Sequence, residues 1–151
     1  MDNQLPKIGE IGVEPLGNVV PQVTGHVIGL GIDIVECQRV KRMLDSFGDR
    51  FLDRCFNPDE IEYCLSRPDK IPELAVRLAA KEASFKAIGA RRGMGIGWKD
   101  FEVVMADDSV PYLKLNGRAK ARGEEIGAGK LWMSLTHEER WVAAVVIITR
   151  E

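Results

Sequence analysis

No CxxC pair occurs among the three cysteines, Cys37, Cys55 and Cys64, and an odd number of unpaired positions argues against both a disulfide framework and a structural zinc site. A reducing, cytoplasmic compartment is the expected home. Basic residues show no excess: 21 Lys and Arg stand against 23 Asp and Glu, a formal net charge of −2, which gives no support to nucleic-acid binding over the whole chain. Long apolar runs are missing, so no segment has the length needed to span a bilayer. The opening MDNQLPKIGEIGVEPLGNVVPQVTG carries acids and no arginine, and lacks a basic stretch followed by an apolar one; it resembles neither a secretory signal nor a transit peptide. Internal repeats and low-complexity tracts are absent as well.

What is present fits one ordinary domain. With 151 residues, 45% hydrophobic and 29% charged, the chain is long enough to bury roughly two-thirds of its unfolded surface around a single core. Prolines and glycines alternate up to Gly25, so residues 1–25 are expected to be a flexible extension that lies on a neighbouring subunit, and residues 26–151 the domain. HVIGLGIDIVE reads as a first strand, nearly continuous in apolar residues and therefore expected to be buried on both faces. Helical spacing of Val40, Met43, Leu44 and Phe47 marks a helix from Cys37, followed by a turn at Gly48 and a short helical piece. Asn57-Pro58-Asp59-Glu60 is a helix start, with an N-cap, a proline at the first helical position and a glutamate three residues after the cap. A long helix is predicted over Pro72 to Ile88 and closed by Gly89. The later chain reads as strands FEVVM and PYLKL around ADDS, a short helix NGRAKARGEEIG, and strands LWMSLT and WVAAVVIIT joined by HEER. The order is one strand, three helical segments, two strands, one helix and two strands. An α+β fold with a mostly antiparallel sheet against the long helix fits that order.

Chemistry concentrates in RLAAKEASFKAIG. On a helix, Ala75, Ala79, Glu82 and Lys86 form one stripe and Leu74, Leu78, Phe85 and Ile88 an adjacent apolar one. Glu82 and Lys86 are either a surface ion pair worth a few tenths of a kcal/mol or parts of a site. Asp33 interrupts an apolar strand, where an unpaired acid costs several kcal/mol; the alternatives are an exposed strand end or a partner. Two carboxylates meeting at one place repel unless a cation joins them, and an all-oxygen set suits magnesium with water and phosphate. Between Arg77 and Arg92 five bases (Arg77, Lys81, Lys86, Arg91, Arg92) face one acid, Glu82, and the stretch runs into the glycine-rich GARRGMGIG; both features favour a polyanion. His137, at a strand end, is a satisfied polar residue, or else a phosphate ligand or a proton carrier. The segment from Gln38 to Arg54, with Met43 and Phe51 among its bases, is a solvated face or a dock for an acidic helix.

Together GLGIDIVE, RFLDRCFNPDEIE, RLAAKEASFKAIG, GIGWKDFEV and SLTHEERWVAAVVI, in that order and spacing, resemble holo-acyl-carrier-protein synthase, the short bacterial 4'-phosphopantetheinyl transferase, over about His26 to Thr149. The resemblance implies that fold and a magnesium-dependent transfer of the phosphopantetheine arm from coenzyme A to a serine of apo acyl carrier protein. It implies Asp33 and Glu82 as metal ligands, Lys86 on the phosphates, and Arg77 and His137 at the coenzyme A site. It also implies Arg39, Arg50 and Arg54, with Met43 and Phe51, as the surface for the carrier, and a homotrimer with sites between subunits. The pattern departs from the family at Ser109-Val110-Pro111, where glycine-lysine-proline is usual, at Leu78 in place of phenylalanine, and in residues 1–25, which have no counterpart. Other classes compatible with the residues are a non-catalytic coenzyme A-binding module that recruits an acidic partner and a phosphohydrolase of coenzyme A.

Overall fold

In the computed structural model, which describes residues 23–106 and 110–150, β1 (His26–Glu36) is followed by four helices: α1 (Cys37–Phe47), α2 (Asp49–Cys55), α3 (Pro58–Ser66) and α4 (Lys70–Ala87). A 3-10 turn at Trp98–Asp100 leads to β2 (Phe101–Met105), β3 (Pro111–Leu115), α5 (Gly117–Ile126), β4 (Lys130–His137) and β5 (Trp141–Arg150). The spacing predicts three helical segments before β2. The structure has four, the short helical piece after the expected turn at Gly48, which takes φ 51° and ψ −129°, standing as a separate α2. The expected extension lies, up to residue 22, outside the described residues, as do residues 107–109 of the expected turn after β2.

Local chemistry sets the helix ends. Glu60 accepts a 2.8 Å hydrogen bond from the Asn57 amide, the reciprocal cap anticipated for α3. α4 starts two residues earlier than predicted because Asp69 caps it, accepting from the Ile71 amide at 3.1 Å. Pro72 then stands in the first turn, where a missing N–H costs nothing.

Every strand pairing is antiparallel, as expected, but the strands form two sheets: β1-β5-β4 and β2-β3. α4 lies across β1 and β5 and buries nearly all of Leu74 to Ala87. Gly29, Gly31, Asp33 and Val35 of β1 share the helix-facing side with Val142, Ala144, Val146 and Ile148 of β5, all four of the latter buried. The glycines allow the contact. A Cβ on Gly31 would lie 1.8 Å from the Ala83 carbonyl oxygen, and one on Gly29 would lie 2.2 Å from that of Ala87. GLG therefore serves backbone-to-backbone approach of strand and helix.

One expectation is overturned. β1 is not buried on both faces: Leu30, Ile32 and Ile34 point away from α4 and are 62–64% exposed. The reason is topological, since β1 is an edge strand and within one chain only its α4 side is covered. The three cysteines are free and buried, and burial pushes the Cys64 thiol up to about 11, which leaves it inert. No helix among the described residues is long and apolar enough to cross a membrane.

Candidate active site

Asp33 is the one charged side chain on the helix-facing side of β1, and its carboxylate is 18% exposed. Lys86 stabilises it: Nζ lies 3.0 Å from Asp33 Oδ1 and donates to the Ile32 carbonyl oxygen at 2.7 Å. The lysine thus reaches across to the strand and does not form the intrahelical pair with Glu82. Glu82, one turn earlier on α4, has no ion pair among the described residues. Burial raises its carboxyl above the usual range and the charge of Asp33 raises it further, with Arg39 and Lys86 in partial opposition. Asp33 faces α4 and Glu82 is carried on it, so the two acids belong to the strand and the helix that pack against each other here.

Such a pair has the donor chemistry of a hard divalent cation. Two oxygen ligands beside open space leave the remaining positions to water and phosphate, the usual arrangement for Mg2+. Among the described residues no group of three or more His, Cys, Asp or Glu side chains gathers. Lys86 stands between two hollows. One, of about 320 Å³, is lined by Ile32, Asp33, Ile34, Lys86 and Ala143. The other, of about 440 Å³, contains Lys86, Gly89, Arg122 and Arg150 in its wall. Arg91 and Arg92 are exposed in the loop that follows, where Gly93 and Gly95 take positive φ of 92° and 69°.

Not every basic residue joins this field. Arg77 is buried, 3.0 Å from Glu73 Oε2 and with its guanidinium 4.4 Å from the centroid of the Tyr63 ring. Lys81 is fully buried. Of the five bases between Arg77 and Arg92, two point into the protein, because the helix turns that face toward α3. The exposed positive charge is therefore carried by Lys86, Arg91 and Arg92.

On the α1–α2 side, Arg39, Arg50 and Arg54 are exposed and Met43 is half-buried, as a docking face requires. Phe51 is not part of that face. It is 4% exposed and its ring meets Phe56 edge-on at 5.6 Å, since α2 turns it toward the core. Phe47, grouped by its spacing with the buried stripe of α1, is 57% exposed; Gly48 ends the helix before that stripe meets a partner. α1 packs against α4, and Arg39 opposes the rise of the Glu82 carboxyl.

His137 is exposed at the end of β4, opposite Val142 of β5, whereas Asp33 is opposite Ala144. β5 separates the two, a lateral distance of roughly 10 Å. One chain does not bring His137 to the carboxylates.

The spacing also missed a buried ion pair. Glu60 Oε2 and Lys81 Nζ lie 2.8 Å apart with both side chains at 0% exposure. Glu60 reads as a cap alone, and Lys81 as one of a basic run. The available signal was that Lys81 falls on the apolar stripe, between Leu78 and Phe85.

Comparison with known proteins accords with this geometry. A family model described as the 4'-phosphopantetheinyl transferase superfamily matches residues 29–146. A holo-[acyl-carrier-protein] synthase of Treponema denticola is 46% identical over 123 residues, covering 81% of this chain and 98% of that protein. The crystal structure of the Neisseria meningitidis holo-[acyl-carrier-protein] synthase has a TM-score of 0.75 at 29% identity, over 82% of this chain and 99% of that one. That of the Helicobacter pylori enzyme, in complex with coenzyme A, gives 0.70 at 27% identity, over 80% and 99%. The strand aspartate, the KEA helix and this extended match agree, and the chain belongs to the 4'-phosphopantetheinyl transferase superfamily, among enzymes of the holo-[acyl-carrier-protein] synthase type.

Proposed function

We propose that the protein transfers the 4'-phosphopantetheine arm of coenzyme A to a serine hydroxyl of an apo acyl carrier protein in the cytoplasm, with Mg2+ held by Asp33 and Glu82. The observation that supports this reading is the strand acid Asp33 facing α4, 3.0 Å from Lys86 and with its charge helping to raise the Glu82 carboxyl one turn earlier on that helix, beside a hollow walled by Lys86, Arg122 and Arg150. The serine hydroxyl gives up its proton to a water or to one of the carboxylates, its oxygen forms a bond to phosphorus, the bond from that phosphorus to the bridging diphosphate oxygen breaks, and adenosine 3',5'-bisphosphate departs. Bound Mg2+ supplies polarisation of the diphosphate and neutralisation of its charge. Lys86 is placed to leave Asp33 for the phosphate oxygens and to stabilise the charge that develops there. The site contributes position and electrostatics and forms no covalent bond to the substrate.

α1 supports carrier docking, since it carries exposed bases, Arg39 among them, and the exposed Phe47. Acyl carrier proteins are acidic, and charge at the rim of an interface mainly steers association. Arg39→Glu is expected to raise the carrier's KM about tenfold at low ionic strength, and Phe47→Ala a few-fold, with coenzyme A binding far less changed. Steady-state kinetics with each substrate varied in turn would show it, and an unchanged carrier KM at low salt would remove α1 from the docking surface.

The uncovered stripe of Val27, Leu30, Ile32 and Ile34 supports assembly, because monomers seldom leave so continuous an apolar face to water. A homotrimer with sites between subunits, in which His137 belongs to the coenzyme A region and the buried Arg77 does not, is the arrangement proposed. Sedimentation velocity of the protein is expected to give three chains, and a monomer at micromolar concentration would exclude shared sites. Incubation of apo carrier with coenzyme A and Mg2+ should add the mass of the phosphopantetheine arm to the carrier. A coenzyme A-binding module leaves that mass unchanged. A phosphohydrolase releases adenosine bisphosphate without any carrier.

A further inference from the structure

Glu82 owes its direction to α4, and something must hold the roll of that helix. Successive residues are about 100° apart around a helix, and a side-chain end roughly 6 Å from the axis moves about 1 Å for each 10° of roll. Magnesium demands near-ideal ligand placement. On the β1 side α4 presents Ala83 and Ala87 to glycines, a contact of small groups that contributes few directional restraints apart from the exposed Lys86 bond. The directional contacts lie on the other side, one residue from Glu82. Lys81 Nζ donates to the carbonyl oxygens of Trp98, at 3.2 Å, and Phe101, and it faces Glu60 Oε2 at 2.8 Å. Glu60 in turn accepts from the amides of Asn57 and Val103, each at 2.8 Å. One buried pair therefore ties α4 to the start of α3, to the turn that closes the glycine-rich loop, and to β2. Phe85 packs edge-on against Trp98 and Phe101 at the same place, with centroids 5.3 and 4.7 Å apart.

We infer that the Glu60–Lys81 pair positions the metal site, fixing the rotation of α4 so that Glu82 is held toward Asp33. The inference rests on the proposed metal role of those carboxylates and deepens it. A pair that served stability alone would have no bearing on ion affinity in the folded protein. Groups that orient ligands from behind typically alter metal affinity 10–100-fold when removed. The test is Mn2+ binding to the full-length protein in the presence of coenzyme A, followed by electron paramagnetic resonance well below the melting temperature. Lys81→Met is expected to weaken Mn2+ at least tenfold, and Lys81→Arg to recover part of the loss. Leu52→Ala, at a buried α2 position outside the pair, should lower the melting temperature and leave Mn2+ affinity intact. If Lys81→Met does not fold, Glu60→Gln, of matching shape, is held to the same criterion. Wild-type affinity in the folded pair variants, or an equal loss in Leu52→Ala, overturns the positioning role. Wild-type protein that binds no Mn2+, or binds it equally well as Glu82→Gln, overturns the metal reading itself and this inference with it.

Discussion

Glu82→Gln is expected to lower the rate of phosphopantetheine transfer by about a thousandfold, the scale on which preorganised charge at a reacting phosphate acts, while the protein still folds. Asp33→Asn should do the same, and here Lys86 also loses the opposite charge of its partner at 3.0 Å, though the amide oxygen can still accept. The loss should appear mainly in kcat at saturating coenzyme A and carrier, and added Mg2+ should not restore it. Either variant with near-normal turnover would remove the carboxylate pair from the reaction. The stability effect has the opposite sign. Glu82 has its carboxyl raised by burial and then by Asp33, so the folded state holds its proton more tightly than the unfolded state does. Stability from this group is therefore greatest at low pH and falls as pH rises from the ordinary carboxylate range through the raised value. At neutral pH without divalent ions, Glu82→Gln removes that penalty and should raise the melting temperature. Thermal melts of both proteins from pH 4 to 8 would check this, and the advantage of the variant should shrink toward the acid end.

Gly31→Ala is expected to cost about 3 kcal/mol, at the upper end of overpacking effects, and to lower the melting temperature by roughly 10 °C for a chain of this size. The added Cβ would stand 1.8 Å from the Ala83 carbonyl oxygen and 2.9 Å from the Ala87 amide nitrogen. No rotamer relieves that, because the obstacle is helix backbone. α4 must move outward, carrying Glu82 and Lys86 away from Asp33, so the fraction that stays folded should also transfer poorly. A methyl group at a solvent-facing β1 position, where side chains already project, has no such consequence. Chemical denaturation of Gly31→Ala beside wild type gives the number, and a loss below about 1 kcal/mol would mean that strand and helix are less tightly apposed than described.

Local sequence was enough for the elements themselves. The 3.6-residue stripe of α4, the capping residues of α3, the period-two runs of β2 to β5 and the breaks at Gly48 and Gly89 depend on neighbours within a few residues, and all recur in the structure. The acid in an apolar strand and the acid on an alanine-lined helix stand out for the same reason, since each conflicts with its own surroundings. Only the tertiary structure decided which face of each element met another. Phe47 reads as part of the apolar stripe of α1 and Phe51 as a docking contact, yet the end of α1 leaves Phe47 in water and α2 buries Phe51. Lys81 and Lys86, five positions apart, point to opposite sides of α4, one into a closed ion pair and one to the open edge of β1. β1 reads as buried on both faces because its composition is apolar throughout, but a side chain's fate depends on whether a layer covers it, and one chain supplies a layer on the α4 side alone. Periodicity is a local property that residues carry with them, whereas contact is made between segments distant in the chain and exists only once the elements are packed.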